Sequence, residues 1–167
     1  PARFKFIKSE KQKQLLKDSL LPNNIDKVMT APVIAVIGYD LDFSDHMGKL
    51  FPHMDVAPMY KGNQEFNHSA AFRNSTLQGA YFMMVCRALG LDCGPMSGFS
   101  NELVDKTFFE NDKLKEGMKS KRVFLFNAAR TPEKTPITSA IRMAYIASSK
   151  VIGRPIPIIS VTDLPGY

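Results

Sequence analysis

The stretch Asp92-Cys93-Gly94-Pro95-Met96-Ser97-Gly98-Phe99 holds the residue types best suited to carry a site. Its Gly, Pro and Ser content argues against helix or central strand and predicts a shaped loop with backbone groups available. Gly94 and Gly98 bracket Pro95, Met96 and Ser97, and without a Cβ at either glycine a flat ligand can lie on the main chain. A Gly-Pro-x-x-Gly run also serves as an ordinary connector, so the two readings stand side by side. His46 and His53 lie seven apart with Pro52 between them and no carboxylate at a standard ligand spacing, so no metal site is expected. Cys86 and Cys93 fit neither a disulfide framework nor a metal motif and read as reduced thiols. The sequence has no G-x-G-x-x-G, no G-x-x-x-x-G-K-[ST] and no G-x-S-x-G, which leaves Rossmann-type nicotinamide binding and hydrolase chemistry without support.

The elements that must hold this stretch follow from periodicity. Leu77, Ala80, Tyr81, Met84, Val85, Ala88 and Leu89 recur at three- and four-residue steps, predicting a helix buried along that face, with Arg73, Gln78 and Arg87 largely off it. Gly90 followed by Leu91 predicts a left-handed helix end near Leu89. Pro1 to Lys8 alternates Arg3 and Lys5 outward with Phe4 and Phe6 inward, as a strand does. Ser9 is the expected cap of a surface helix to Leu21 that carries Leu15, Leu16 and Leu20, with Pro22-Asn23-Asn24 ending it and Ile25 to Met29 adding one turn. Pro32 to Tyr39 is a continuous apolar run, expected as the central strand. Asp40 to His68, interrupted by Pro52 and Pro58, reads as a long, partly helical cover over a site. Asn101 to Phe109 is an expected helix capped by Ser100, with Leu103, Val104 and Phe108 inward, and Lys121 to Phe126 a further strand. Ile137 to Lys150 fits one helix, and Pro155, Pro157 and Pro165 favour an extended ending.

Composition sets outer bounds. The 167 residues suit one domain, and 44% hydrophobic with 23% charged content is that of a globular chain. No apolar run reaches the roughly 18 residues of a bilayer span, and no signal pattern opens the sequence, so no membrane partner and a cytoplasmic location are expected. The 22 Lys and Arg against 16 Asp and Glu give a net charge of +6, spread over two lysine-rich stretches without interleaved aromatics. That pattern reads as a solvated face, and no nucleic-acid partner is expected.

Three segments together carry a resemblance. Phe72-Arg73-Asn74-Ser75, Cys86-Arg87-Ala88-Leu89-Gly90-Leu91-Asp92 and Gly94-Pro95-Met96-Ser97-Gly98-Phe99 resemble the flavin-dependent nitroreductase family, in particular its malonic semialdehyde reductase branch from pyrimidine degradation. Thr30-Ala31-Pro32-Val33 and Leu50-Phe51-Pro52-His53 match that branch upstream, and Val104-Asp105 with Phe108-Phe109 downstream. The likeness covers residues 1–126. It implies an α+β fold with a central, mainly antiparallel sheet flanked by helices, in a nitroreductase-like domain that lacks the family's N-terminal helices. Residues 127–167 read as a divergent C-terminal tail, either an extended arm or a scrambled end, since the family's Gly-Tyr-Gly-Asp turn is replaced by Asn127-Ala128-Ala129-Arg130.

The resemblance further implies bound FMN, with NADPH or NADH as co-substrate, and a homodimer acting on a small molecule. The branch reduces malonic semialdehyde (3-oxopropanoate) to 3-hydroxypropanoate. The flavin carries the hydride, so no protein side chain is expected as catalytic. Pro95 and Met96 would support the ring, Ser97 and Gly98 would offer polar contacts to its reactive edge, and Phe51 and His53 could line the substrate pocket. A nitro or quinone reductase of the same family, and a flavin-free remnant or partner subunit, remain as alternatives.

Overall fold

In the computed structural model, residues 1–109 and the strand 120–129 are described. The elements are β1 (Ala2–Ile7), α1 (Glu10–Lys17), α2 (Pro22–Thr30), β2 (Val33–Asp40), a 3-10 turn (Phe43–His46), α3 (Met47–Leu50), α4 (Ala57–Lys61), α5 (Gln64–Ala88), β3 (Asp92–Met96), α6 (Asn101–Phe108) and β4 (Ser120–Ala129). The strands form one sheet in the order β1-β2-β4-β3, with each neighbouring pair antiparallel. All eight residues of β2 are buried, as expected of a strand with a neighbour on each side and a layer on each face.

Strand alternation divides the core in two. Ala2, Phe4 and Phe6 of β1 and Val33, Ala35 and Ile37 of β2 point to one face, where Phe82 and Cys86 of α5 and then Leu91 close over them. Phe82 is fully buried, with its ring 5.2 Å from Phe4 and 5.9 Å from Phe6. Ile7, Ile34 and Val36 point the other way, onto Leu16, Leu20, Val28, Val104 and Phe108 of the α1, α2 and α6 layer.

Several expectations change here, each for a physical reason. The long helix starts at Gln64, capped by Asn63, whose side chain accepts from the Phe66 N–H. Its buried face is Ala71, Ser75, Gln78, Gly79, Phe82 and Cys86, whereas Leu77, Tyr81 and Met84 are exposed. Small residues at Ala71, Ser75 and Gly79 let the helix lie close to the sheet, and a Cβ added at Gly79 would sit 3.4 Å from Ile37 Cδ1. Gln78 is buried because its Oε1 accepts the Ala2 N–H at 2.7 Å. Arg3 is likewise buried rather than solvated, paired with Asp40 at the far end of β2. Pro22 does not end a helix but begins one, at the first-turn position where a missing N–H costs nothing. Leu15 and Leu103 are exposed, so the inward faces of their helices are carried by Leu16, Val104 and Phe108.

The helix end near Leu89 follows the expectation. Gly90 has φ 80°, its N–H donates to Arg87 O at 3.0 Å, and the Leu91 N–H donates to Cys86 O at 3.0 Å. This is the two-bond left-handed terminus, with Leu91 buried as its apolar anchor. It turns the chain back along the sheet and launches β3. The strand over Lys121–Phe126 is longer than expected, and Asn127, Ala128 and Ala129 pair with Gly94, Cys93 and Asp92. The helix expected over 137–150 and the extended ending lie outside the described residues.

Candidate functional site

Half of the stretch read as a loop is an edge strand. Asp92 to Met96 pairs with Ala129 to Leu125, and Pro95 is tolerated because only an edge strand has a side that needs no donor. Pro95 must therefore turn its nitrogen away from β4. Cys93 shares its parity within the strand, so its N–H faces the same open side. Cys93 packs on the α5 face and Met96 on the opposite face, in the core with Val104 and Phe108. Met96 is 9% exposed, so its side chain serves the core, while Pro95 and Ser97 are exposed.

Beyond the strand, the chain is fixed by the α1–α2 connection. Phe99 bridges Leu20, and the Ser100 N–H donates to Ser19 O at 2.7 Å. The Gly98 carbonyl accepts the Leu21 N–H at 2.9 Å and Asn24 Nδ2 at 3.0 Å. The Phe99 N–H donates to Ser97 O at 3.0 Å, closing a three-residue turn about Gly98. Ser100 then caps α6 by accepting the Leu103 N–H. A Cβ on Gly98 would fall 2.5 Å from Asn24 Nδ2. The room left by that missing Cβ is thus used by the protein's own Asn24. The Ser97 and Gly98 N–H groups have no backbone acceptor among the described residues. Sequence reading missed Asn24, which looked like part of a helix stop.

The two expected substrate-pocket residues sit elsewhere. Phe51 and His53 are exposed and meet edge to face, ring centroids 5.8 Å apart, in the cover whose α3 and α4 pack on the 3-10 turn and α5. A cavity of about 570 Å3 opens at the end of β2 between Leu41, Asp42, Tyr60, Lys61, Asn67 and His68, and neither Phe51 nor His53 lines it. Tyr39 OH lies 2.9 Å from Nε2 of His68, one of the lining residues. Lys61 Nζ pairs with Asp45 at 2.5 Å, and this contact holds the Asp45 carboxyl below and the Lys61 amine above its ordinary range. Met96 lies level with Val36 across the sheet and Asp40 lies four residues further along β2. That places Asp40 about 13 Å along and about 10 Å across the sheet from Met96, in the direction in which β3 also runs. None of residues 95–98 lines the cavity.

The thiols carry no activation. Burial pushes Cys86 up to about 12, and burial also raises Cys93, whose Sγ lies 3.6 Å from Leu91 O. Among the described residues no three His, Cys, Asp or Glu side chains gather as metal ligands would. Likewise, no helix among them is long and apolar enough to cross a membrane.

This architecture is found in solved structures. A nitroreductase-named protein of Bacillus subtilis superposes with a TM-score of 0.64 at 18% identity, covering 83% of this chain and 75% of its own. Another from Exiguobacterium sibiricum, solved in complex with FMN, gives 0.63 at 19% identity, covering 83% and 74%. The fold is the nitroreductase fold, an α+β sandwich. By sequence the chain is a relative of the NAD(P)H nitroreductases: a protein of Polynucleobacter asymbioticus named for NADH dehydrogenase/NAD(P)H nitroreductase activity is 48% identical over 115 residues, 69% of this chain. The chain spans 59% of that relative's length. No family model matches the sequence.

Proposed function

We propose that the chain works as an FMN-dependent NAD(P)H oxidoreductase of the nitroreductase type, with the segment Pro95–Gly98 against the flavin. One observation carries this reading: an exposed, uncharged edge at Pro95 and Ser97 runs into a turn whose two N–H groups have no backbone acceptor among the described residues. A flavin ring presents carbonyl and imine acceptors along one edge, so the donor set fits it. Bound flavin would supply hydride transfer, the chemistry for which relatives of this chain are named. The protein's own part is placement: Pro95 gives a flat apolar support, Ser97 and Gly98 donate, and the α2 contacts keep the turn from relaxing.

For the acceptor we propose malonic semialdehyde, on the strength of the Phe72–Ser75, Cys86–Asp92 and Gly94–Phe99 motifs; nitro compounds and quinones are the competing acceptors. The exposed stripe Leu77, Tyr81 and Met84 on α5 supports a second copy of the chain as partner, because a contiguous apolar helix face is costly to leave in water. The first test is the visible spectrum after incubation with FMN and gel filtration. Retained flavin bands, followed by NADPH oxidation that depends on 3-oxopropanoate, would support the reading. A colourless protein would sink it in favour of a flavin-free partner subunit.

A further inference from the structure

We infer that Asn24 is a positioning residue for the flavin-binding turn: by holding the Gly98 carbonyl against α2, it keeps the Ser97 and Gly98 N–H donors turned outward. The inference rests on the flavin reading of this segment and adds to it a residue from a distant part of the sequence.

Ser97 O is taken by the Phe99 N–H, and Gly98 O by both the Leu21 N–H and Asn24 Nδ2. Both carbonyls of the turn are therefore engaged, Ser97 O within the turn and Gly98 O by Leu21 and Asn24. The Ser97 and Gly98 N–H groups have no backbone acceptor among the described residues, and rotation of the Ser97–Gly98 peptide would require breaking the Phe99 bond. The Leu21 bond alone leaves Gly98 hinged on one contact, whereas Asn24 adds a second donor from the first turn of α2. Asn24 is partly buried between α2 and the turn, and its Nδ2 occupies the space that a Cβ at Gly98 would need. The two positions are thus matched in shape as well as in hydrogen bonding. Asn24 is the third residue of α2, whose start is set by Pro22 and needs no side-chain cap from Asn24.

The substitution Asn24→Asp separates this role from a general one in folding. It keeps the side chain's shape, and a carboxylate in the first turn favours the helix. It replaces the donor facing Gly98 O with an oxygen. Asn23→Asp, one residue earlier and exposed, makes the same charge change away from the turn. Three quantities are read: FMN affinity from quenching of flavin fluorescence, the midpoint potential of the bound flavin, and the amide 1H–15N signals of Ser97 and Gly98 in flavin-free protein.

Asn24→Asp should weaken FMN binding by about tenfold, as expected for a lost hydrogen bond with an unfavourable replacement. It should also shift the potential and move both amide signals, while Asn23→Asp leaves all three unchanged. Asn24→Ser, which restores a short donor, should recover part of the affinity. Wild-type affinity and potential in Asn24→Asp would overturn the inference, as would unmoved amide signals. If the unsubstituted chain takes up no FMN, the flavin reading fails separately, and the amide signals alone decide whether Asn24 holds the turn.

Discussion

A single atom decides much at Gly79. Its Cα passes close to the sheet, and an added Cβ would meet Ile37 Cδ1 at 3.4 Å, an ordinary contact. Gly79→Ala should therefore stabilise the protein by about 0.5 kcal/mol through helix propensity, whereas Gly79→Leu should cost about 1–3 kcal/mol by overpacking; urea unfolding measures both. Cys86 makes a second prediction at this scale. Its thiol is raised from 9.0 to about 12 by burial, so the folded state disfavours the thiolate. The sign follows: its contribution to stability is fully present below about pH 9 and is lost as pH rises toward 12. Alkylation at pH 8 should accordingly modify Cys93, half-buried, well before Cys86, and mass analysis of the labelled peptides would show the reverse order if the packing were wrong. Single residues were read with mixed success. Arg3 and Gln78 looked like surface groups because their partners, Asp40 and the Ala2 N–H, lie 37 and 76 residues away, and a local pattern carries no trace of them.

Elements were more legible than faces. The central strand, the Ser9 and Ser100 caps and the Gly90 terminus rest on signals a few residues long, and all four are present. The direction in which α5 faces was misread because its apolar stripe, Leu77, Tyr81 and Met84, is not the side on the sheet; close approach selected the small residues Ala71, Ser75 and Gly79 instead. The Gly90 terminus invites a direct test. Gly90→Ala forces a Cβ into φ 80° and should cost about 1 kcal/mol, visible in the denaturation midpoint, with the α5 packing retained. A larger loss, or a change in the denaturant slope, would mean that the reversal into β3 had been disrupted. The candidate segment itself was legible as a place but not as a shape: its composition marked it, while its strand pairing depends on β4, which lies far along the sequence.

At the scale of the molecule, two surfaces of α5 do different things. One closes the core over β1 and β2; the other presents Met84, 67% exposed, with Tyr81 and Leu77. If a second copy covers that stripe, Met84→Asp should leave the fold intact and convert a dimer to a monomer in light scattering coupled to gel filtration. A dimer that survives the change would place the partner elsewhere. β2 and β3 run in the same direction, so the cavity near His68 and the Pro95–Gly98 segment lie toward the same end of the sheet, with no lining residue in common. The offset between them is set by the register of β2 and β3 on β4, which no linear pattern reports.

Pro95 also guards the molecule against its own geometry. An edge strand is a template on which another extended chain can grow, and in the described sheet β3 is such an edge. At Pro95 the outward position offers no donor, so an arriving strand would meet a gap in the ladder near the end of β3. The residue that would support a flat ring thereby keeps this margin from recruiting strangers. Pro95→Val should restore the donor and raise the tendency to form sheet-rich aggregates even where the monomer is no less stable.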